Sequence, residues 1–292
     1  MRVVSFILLI LLSSCYRIED TVFQSVRTDA YYFDDYDGEV DFRMDEFFDI
    51  PQEMIHLFKI ESNNNGDRAM IWAVYVGDLD RISRDTVILY CHGNYMHMDY
   101  YWPRTKLLAN VGGKNKYGIL TFDYRGYGMS EGEPTEDGLY ADTEAAIQWL
   151  KKNGLTDDRF MMYGYSLGTA PATRLSARPA SLKPSKLILE SPFASADVFV
   201  QDAALLALPP SYVTNLKIAN AEEIRNVDQP LLWIHGTEDE ILDIKTHGEA
   251  VYRNHKGSYK QARRVEGAGH FNIQIFLGAM GYSNLVNRFI RE

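Results

Sequence analysis

RFMMYGYSLGTAPATRL, residues 159–175, decides the fold. Arg159–Tyr163 is a short apolar run with charge before it and glycine after it. Such a run reads as a strand buried on both faces. Gly164-Tyr165-Ser166-Leu167-Gly168 follows, and from Leu167 the pattern turns helical. Strand, tight turn and helix place Ser166 where the chain reverses. In that setting both glycines have a mechanical reason, because a side chain two positions either side of the serine would collide with neighbouring backbone. Ser166 is then held in a strained conformation with its hydroxyl exposed above the sheet. The helix N-terminus beneath it favours negative charge developing on that oxygen. Outside this context Gly-x-Ser-x-Gly arises often by chance, and the bland alternative is a glycine-rich turn with serine as helix cap.

Working outward, the flanking sequence repeats the same alternation. Glu53–Ile60 and Ala69–Val76 flank Asn63-Asn64-Asn65-Gly66, a hairpin-like turn. Thr86–Cys91, Gly118–Phe122, Lys186–Leu189, Pro230–Ile234 and Gln261–Val265 are further strand candidates. Helical stretches fall near 99–111, 136–153, 167–178, 243–255 and 271–291. This order predicts an α/β fold, with a mostly parallel central sheet, helices on both faces and ligands at the carboxyl ends of the strands.

Every chemical motif sits at such an end. Cys91-His92-Gly93-Asn94 closes one strand, and Asp123-Tyr124-Arg125-Gly126-Tyr127-Gly128-Met129-Ser130 follows the next. Glu190-Ser191-Pro192-Phe193, His235-Gly236-Thr237-Glu238-Asp239 and Gly267-Ala268-Gly269-His270 close three more. Together these motifs resemble the α/β-hydrolase superfamily, and in particular its membrane-associated α/β-hydrolase-domain and serine aminopeptidase-like members. The resemblance spans roughly residues 86–275, in the family's order, with a small lid.

The resemblance implies a catalytic triad of Ser166, Asp239 and His270, in the family's chain order. It makes the backbone N–H groups of Asn94 and Leu167 the oxyanion hole, and His92 a structural loop histidine. It selects Asp239 because the family's acid lies three residues after the glycine of such a His-Gly, although Glu238, Glu240 and Asp243 crowd it. Asp123 precedes the serine and is structural in the family. His247 lies in a helical pattern and His255 in a basic loop, so both are expected to face solvent. His56 alternates within an early strand. No His/Cys cluster has metal-ligand spacing and no Gly-rich phosphate loop stands out, so no cofactor or metal is expected.

The N-terminus reads differently. After Met1-Arg2, Val3–Leu12 is an apolar run too short to span a bilayer but suited to a secretory signal. Leu12-Ser13-Ser14-Cys15 resembles the lipobox of bacterial lipoproteins, which implies removal of residues 1–14 and lipidation of Cys15. The alternative is an ordinary secretory signal or a short anchor. The expected address is the cell envelope, with the outer membrane favoured because Tyr16 stands where an aspartate would retain the protein at the inner membrane. With Cys15 acylated, Cys91 has no disulfide partner. Residues 15–50 are expected to be the lipidated N-terminus and an acidic, tyrosine-rich tether. Residues 16–50 hold eleven Asp/Glu against three Arg. The aromatics Tyr31, Tyr32, Phe33, Phe42, Phe47 and Phe48 predict that the later half packs onto a body formed by residues 51–292.

The net charge of −10 argues against nucleic acid or an anionic lipid surface as main partner. The segment of about 191–229, with its apolar stretch Val198–Leu208, is the place for the lid. The expected activity is cleavage of carboxylic esters or thioesters of lipid-like or acylated substrates. A serine aminopeptidase-like peptidase and a non-catalytic binding lipoprotein are the alternatives.

Overall fold

The computed structural model describes residues 19–39, 42, 44–204 and 214–292. Its strands, in chain order, are β1 (Gln24–Ser25), β2 (Ile55–Asn64), β3 (Asp67–Val76), β4 (Val87–Cys91), β5 (Tyr95–Met96), β6 (Gly118–Phe122), β7 (Phe160–Tyr165), β8 (Lys186–Glu190), β9 (Leu231–Gly236) and β10 (Lys260–Val265). Eight of them form one sheet in the order β10-β9-β8-β7-β4-β6-β3-β2. From β10 to β6 all pairs are parallel, while β3 and β2 add antiparallel strands at one edge. All eight sheet strands lie where the sequence pattern put them, with ends shifted by a few residues. The β2–β3 turn is two residues, Asn65 (φ +51°) and Gly66 (φ +102°). Left-handed φ at both positions suits the twist of a hairpin, and Asn-Gly tolerates it best.

The apolar strands feed two cores, because side chains alternate between faces. Val87, Leu89 and Cys91 of β4 point into one, with Leu187, Leu189, Leu231 and Trp233. Ile88 and Tyr90 point into the other, with Ile188, Leu232 and Ile234. The helices Glu136–Lys152 and Thr169–Ala177 cover the first face; Trp102–Ala109 and Ile273–Arg291 cover the second. The helix Glu136–Lys152 is capped by Thr135, whose side chain accepts from Gly138 N–H, and it carries acidic residues first and lysines last. The lid contributes the helix Ala196–Ala204 and the short helix Asn220–Glu223, and residues 205–213 lie outside the described residues.

Of the stretch 15–50, expected to be a tether whose later half packs on the body, the described residues from 19 onward make contacts with the body. Val22, Phe42, Phe48 and Ile50 are buried, and β1 pairs with β5. Asp99 accepts from the backbone N–H of Tyr32 and Phe33, and Trp102 Nε1 donates to Asp34. Several acidic residues of this stretch, Glu19, Asp34, Glu39 and Asp49 among them, meet donors on the body. Cys15 and the apolar run before it lie outside the described residues.

Tyr31 is the sharpest of these contacts. Its hydroxyl donates to Asp123 Oδ2 at 2.6 Å and accepts from Met129 N–H at 3.0 Å. Tyr31→Phe leaves two groups short of a partner and should lower stability by about 1–3 kcal/mol. Urea unfolding of the two proteins measures this, and equal midpoints would count against the contact.

Candidate active site

The end of β7 and the start of the next helix form a turn of extreme closeness. Ser166 sits at φ +51°, a conformation that only a forced turn imposes on a serine. A Cβ added to Gly164 would stand 2.6 Å from Gly168 O and 2.7 Å from Thr169 Cα. One added to Gly168 would fall on the Cys91 carbonyl at the end of β4. The turn thus crosses the neighbouring strand end with no room for a side chain, as the spacing of the two glycines predicts.

Ser166 Oγ lies 2.9 Å from His270 Nε2, and His270 Nδ1 lies 2.8 Å from Asp239 Oδ2. All three residues are buried. The four acidic residues of this stretch separate by exposure: Asp239 is buried, whereas Glu238, Glu240 and Asp243 are exposed. Burial opposes ionisation of Asp239, but hydrogen bonds from His235 and His270 outweigh it and hold the carboxyl well below the usual carboxylate range. An ionised Asp239 only accepts, so the Nδ1–H of His270 donates to it and the Nε2 lone pair is left facing the serine hydroxyl. Asp239 Oδ1 in turn accepts from the N–H groups of Ile241 and Leu242, at 3.0 and 2.7 Å.

His235 is a partner that sequence reasoning left without a role. Its Nε2 lies 3.1 Å from Asp239 Oδ2 and 2.8 Å from the Leu242 carbonyl. Both are acceptors, so Nε2 carries the proton and serves the same carboxylate oxygen that His270 meets. The only sequence signal was its place at a strand end, four residues before the aspartate.

The other singled-out residues stand apart from Ser166. His92 bonds the Gly93 carbonyl through Nδ1 at 2.7 Å and has Nε2 3.2 Å from Asp123 Oδ1. Asp123 also accepts from Met98 N–H and from Tyr31. His56 bonds the Gly77 carbonyl. His247 and His255, expected in solvent, are buried. The turn carrying His247 faces the root of the lid, where its Nδ1 accepts from Ala194 N–H and its ring meets Phe193 and Phe199. Burial pushes its pKa down to about 4. His255 lies 2.9 Å from the Gln229 carbonyl, and burial lowers its pKa as well. Cys91 is buried in β4, and burial pushes its thiol pKa up.

Asn94 and Leu167 both border a small cavity of about 30 Å³ at Ser166, closed by Val22, Phe193 and Leu242. Asn94 is fixed by its own bonds, its side chain donating to the Thr21 carbonyl and its carbonyl accepting from Tyr127. This cavity shares Asn94, Phe199 and Ile241 with an open cleft of about 980 Å³ bordered by His270. The lid helix gives that cleft Phe199, Gln201 and Asp202, and the N-terminal segment gives it Thr21 and Gln24. Glu240 and Asp243 add negative charge, and among the described residues bordering it there is no lysine or arginine. The described residues contain no group of three or more His, Cys, Asp or Glu placed to hold a metal ion.

The chain has the α/β-hydrolase fold. Residues 86–217 match the model of the family described as alpha/beta hydrolase fold. Among curated proteins it is similar to human alpha/beta hydrolase domain-containing protein 17B, at 34% identity over 65% of this chain and 62% of that protein. It is also similar to protein 17C of Xenopus tropicalis, at 35% identity over 66% of this chain and 58% of that one. The chain therefore spans about three fifths of these relatives. Among solved structures, a Pyrococcus furiosus esterase, Pf2001, superposes with a TM-score of 0.66 at 17% identity, over 92% of this chain and 97% of that one. A bromoperoxidase from Bacillus anthracis gives 0.59 at 14% identity, over 80% and 100%.

The depressed pKa of Asp239 carries a sign. A carboxyl whose pKa is lower folded than unfolded stabilises the fold fully above the unfolded value, near 4, and loses that contribution progressively as pH falls from there toward the folded value. Asp239→Asn removes the group, so the stability gap between wild type and variant should be larger at pH 7 than at pH 3. Chemical denaturation at both pH values measures it. A gap that stays constant would mean that Asp239 is not held ionised.

Proposed function

We propose that this protein is a serine hydrolase that cleaves carboxylic ester or thioester bonds of lipid-like or acylated substrates. The observation that carries the proposal is the unbroken line of hydrogen-bond distances from Ser166 through His270 to Asp239. His270 Nε2 takes the hydroxyl proton as Ser166 Oγ attacks the acyl carbon. The carbonyl electron pair moves to oxygen, where the N–H groups of Asn94 and Leu167 are assigned to hold it. Collapse expels the alcohol or thiol, which takes the proton back from His270. Water then repeats the sequence on the acyl-enzyme and releases the acid. Asp239 stays ionised and stabilises the imidazolium, with His235 and two backbone N–H groups keeping its oxygens in place.

Ser166→Ala should abolish labelling by a fluorophosphonate probe and reduce hydrolysis of p-nitrophenyl esters at least about a thousandfold. A folded wild type that neither labels nor turns over would bring forward the binding-lipoprotein alternative.

One observation favours the peptidase alternative: Asp202, Glu240 and Asp243 give the cleft negative charge suited to a free amine. Aminoacyl anilides set against p-nitrophenyl esters decide between the two. A higher kcat/KM on the esters is expected, and the reverse makes the enzyme an aminopeptidase.

The lipobox-like sequence supports a lipid anchor at Cys15 and a place in the bacterial envelope, at the outer rather than the inner membrane. Cys15 stands four residues before Glu19, a reach of at most about 14 Å, and Thr21 borders the cleft. An anchor there would hold the cleft near membrane-borne acyl groups. Mass spectrometry of the mature N-terminus should find an acylated Cys15, and Cys15→Ser should move the protein out of the membrane fraction. A retained Met1 would end this part of the proposal.

A further inference from the structure

Arg104, in the helix Trp102–Ala109, is a buried cation that no step above uses. Its Nε lies 2.7 and 2.8 Å from the two carboxylate oxygens of Glu39, and one terminal nitrogen lies 2.5 Å from Glu190 Oε1. The other terminal nitrogen donates to the carbonyl of Phe271, the residue after His270, at 3.3 Å. The guanidinium lies 4.0 Å above the ring of Tyr165, the residue before Ser166. Tyr165 completes the circuit, because its hydroxyl donates to the His270 carbonyl at 3.1 Å.

Two successive carbonyls of the loop that carries the base, at 270 and 271, are therefore held by one buried unit. The same unit also holds the start of the helix that follows this loop, since Gln274 Nε2 donates to Glu190 Oε1 at 2.6 Å. Glu190 is placed for this by sheet register, being directly paired with Tyr165 across β7 and β8. Tyr163 and Tyr282 hydroxyls donate to its other oxygen. Three polar clamps on five residues fix the peptide planes around His270, and with them the direction of its ring.

We infer that Arg104 is a positioning residue for the reaction: clamped between Glu39 and Glu190, it aligns the His270 loop with the Ser166 turn. This rests on the serine-hydrolase proposal. The planar fork is what the role requires, because a guanidinium can reach two carboxylates and a carbonyl at once while an ammonium is a single point. Glu39 gives the N-terminal segment a part in the same device. Its burial raises its pKa and the adjacent guanidinium opposes that shift, so its charge depends on Arg104. A misaligned base slows proton transfer without changing the cleft, so the defect belongs in kcat and not in KM.

Arg104→Lys keeps the charge and loses the fork. In the full-length protein it should lower kcat at least tenfold on a short-chain p-nitrophenyl ester, with KM within about twofold of wild type. The loss must appear per active site, with sites counted by the burst of nitrophenol or by the end point of fluorophosphonate labelling. Labelling should also slow by a comparable factor. Should Arg104→Lys not fold, Glu39→Gln decides instead, with an expected loss of several-fold in kcat per site at unchanged KM. Wild-type turnover per titrated site in the folded variant would overturn the inference, as would a loss confined to KM or to the number of sites. Failure of the wild type itself to label is a different result, which removes the hydrolase proposal first.

Discussion

The rest of the site depends on the closeness with which the turn at Ser166 crosses the end of β4. Gly168 has no room for a Cβ against the Cys91 and His92 carbonyls, and Gly164 has none against the backbone of Gly168 and Thr169. Because backbone meets backbone, main-chain sterics set the Ser166 turn against the end of β4, and side-chain bonds of Asn94 and Tyr127 hold the loop that follows. The strain at Ser166, a serine at φ +51°, persists because β7 pairs on both sides, with β4 and with β8. A central parallel strand is the most over-determined place in such a sheet, and it is where a strained turn is cheapest to hold.

Charge is organised around that turn in a second layer. Asp239 receives four donors or donor-bearing rings, from Ile241, Leu242, His235 and His270, and these offset the penalty of burying it. Burial alone would raise its pKa and leave a neutral acid unable to hold the Nδ1 proton of His270. Donors from the acid's own loop and from His235 come before any substrate does, so the alignment is present in the resting protein. That is the condition under which electrostatic stabilisation needs no reorganisation during the reaction.

Much of this was legible in the sequence because its causes are local. Strands buried on both faces give continuous apolar runs, and a turn without space demands glycine at fixed offsets from Ser166. What escaped depends on distant contacts. His235 carries no mark distinguishing a residue that serves an acid from one that ends a strand. His247 looked solvent-facing within its helical pattern, and His255 within its basic loop. Their environment comes from the lid root and from the Gln229 loop, which no local window contains. The choice of Asp239 among four acidic residues rested on resemblance to a family, and the structure separates them physically, by burial.

The acidic N-terminal stretch shows why composition alone misleads. Eleven carboxylates in 35 residues suggest a solvated chain, yet several of them meet specific donors: Asp34 meets Trp102 and Lys106, and Glu19 accepts from Asn215 N–H. Each such bond is modest, and together with buried Val22, Phe42 and Phe48 they hold the segment on the body. The consequence falls on the cleft. Thr21 and Gln24 form part of its wall and Val22 closes the cavity at Ser166, so residues outside every recognisable motif shape what can reach the serine. Under the proposed reaction, the sheet supplies the chemistry and the chain before it part of the selection.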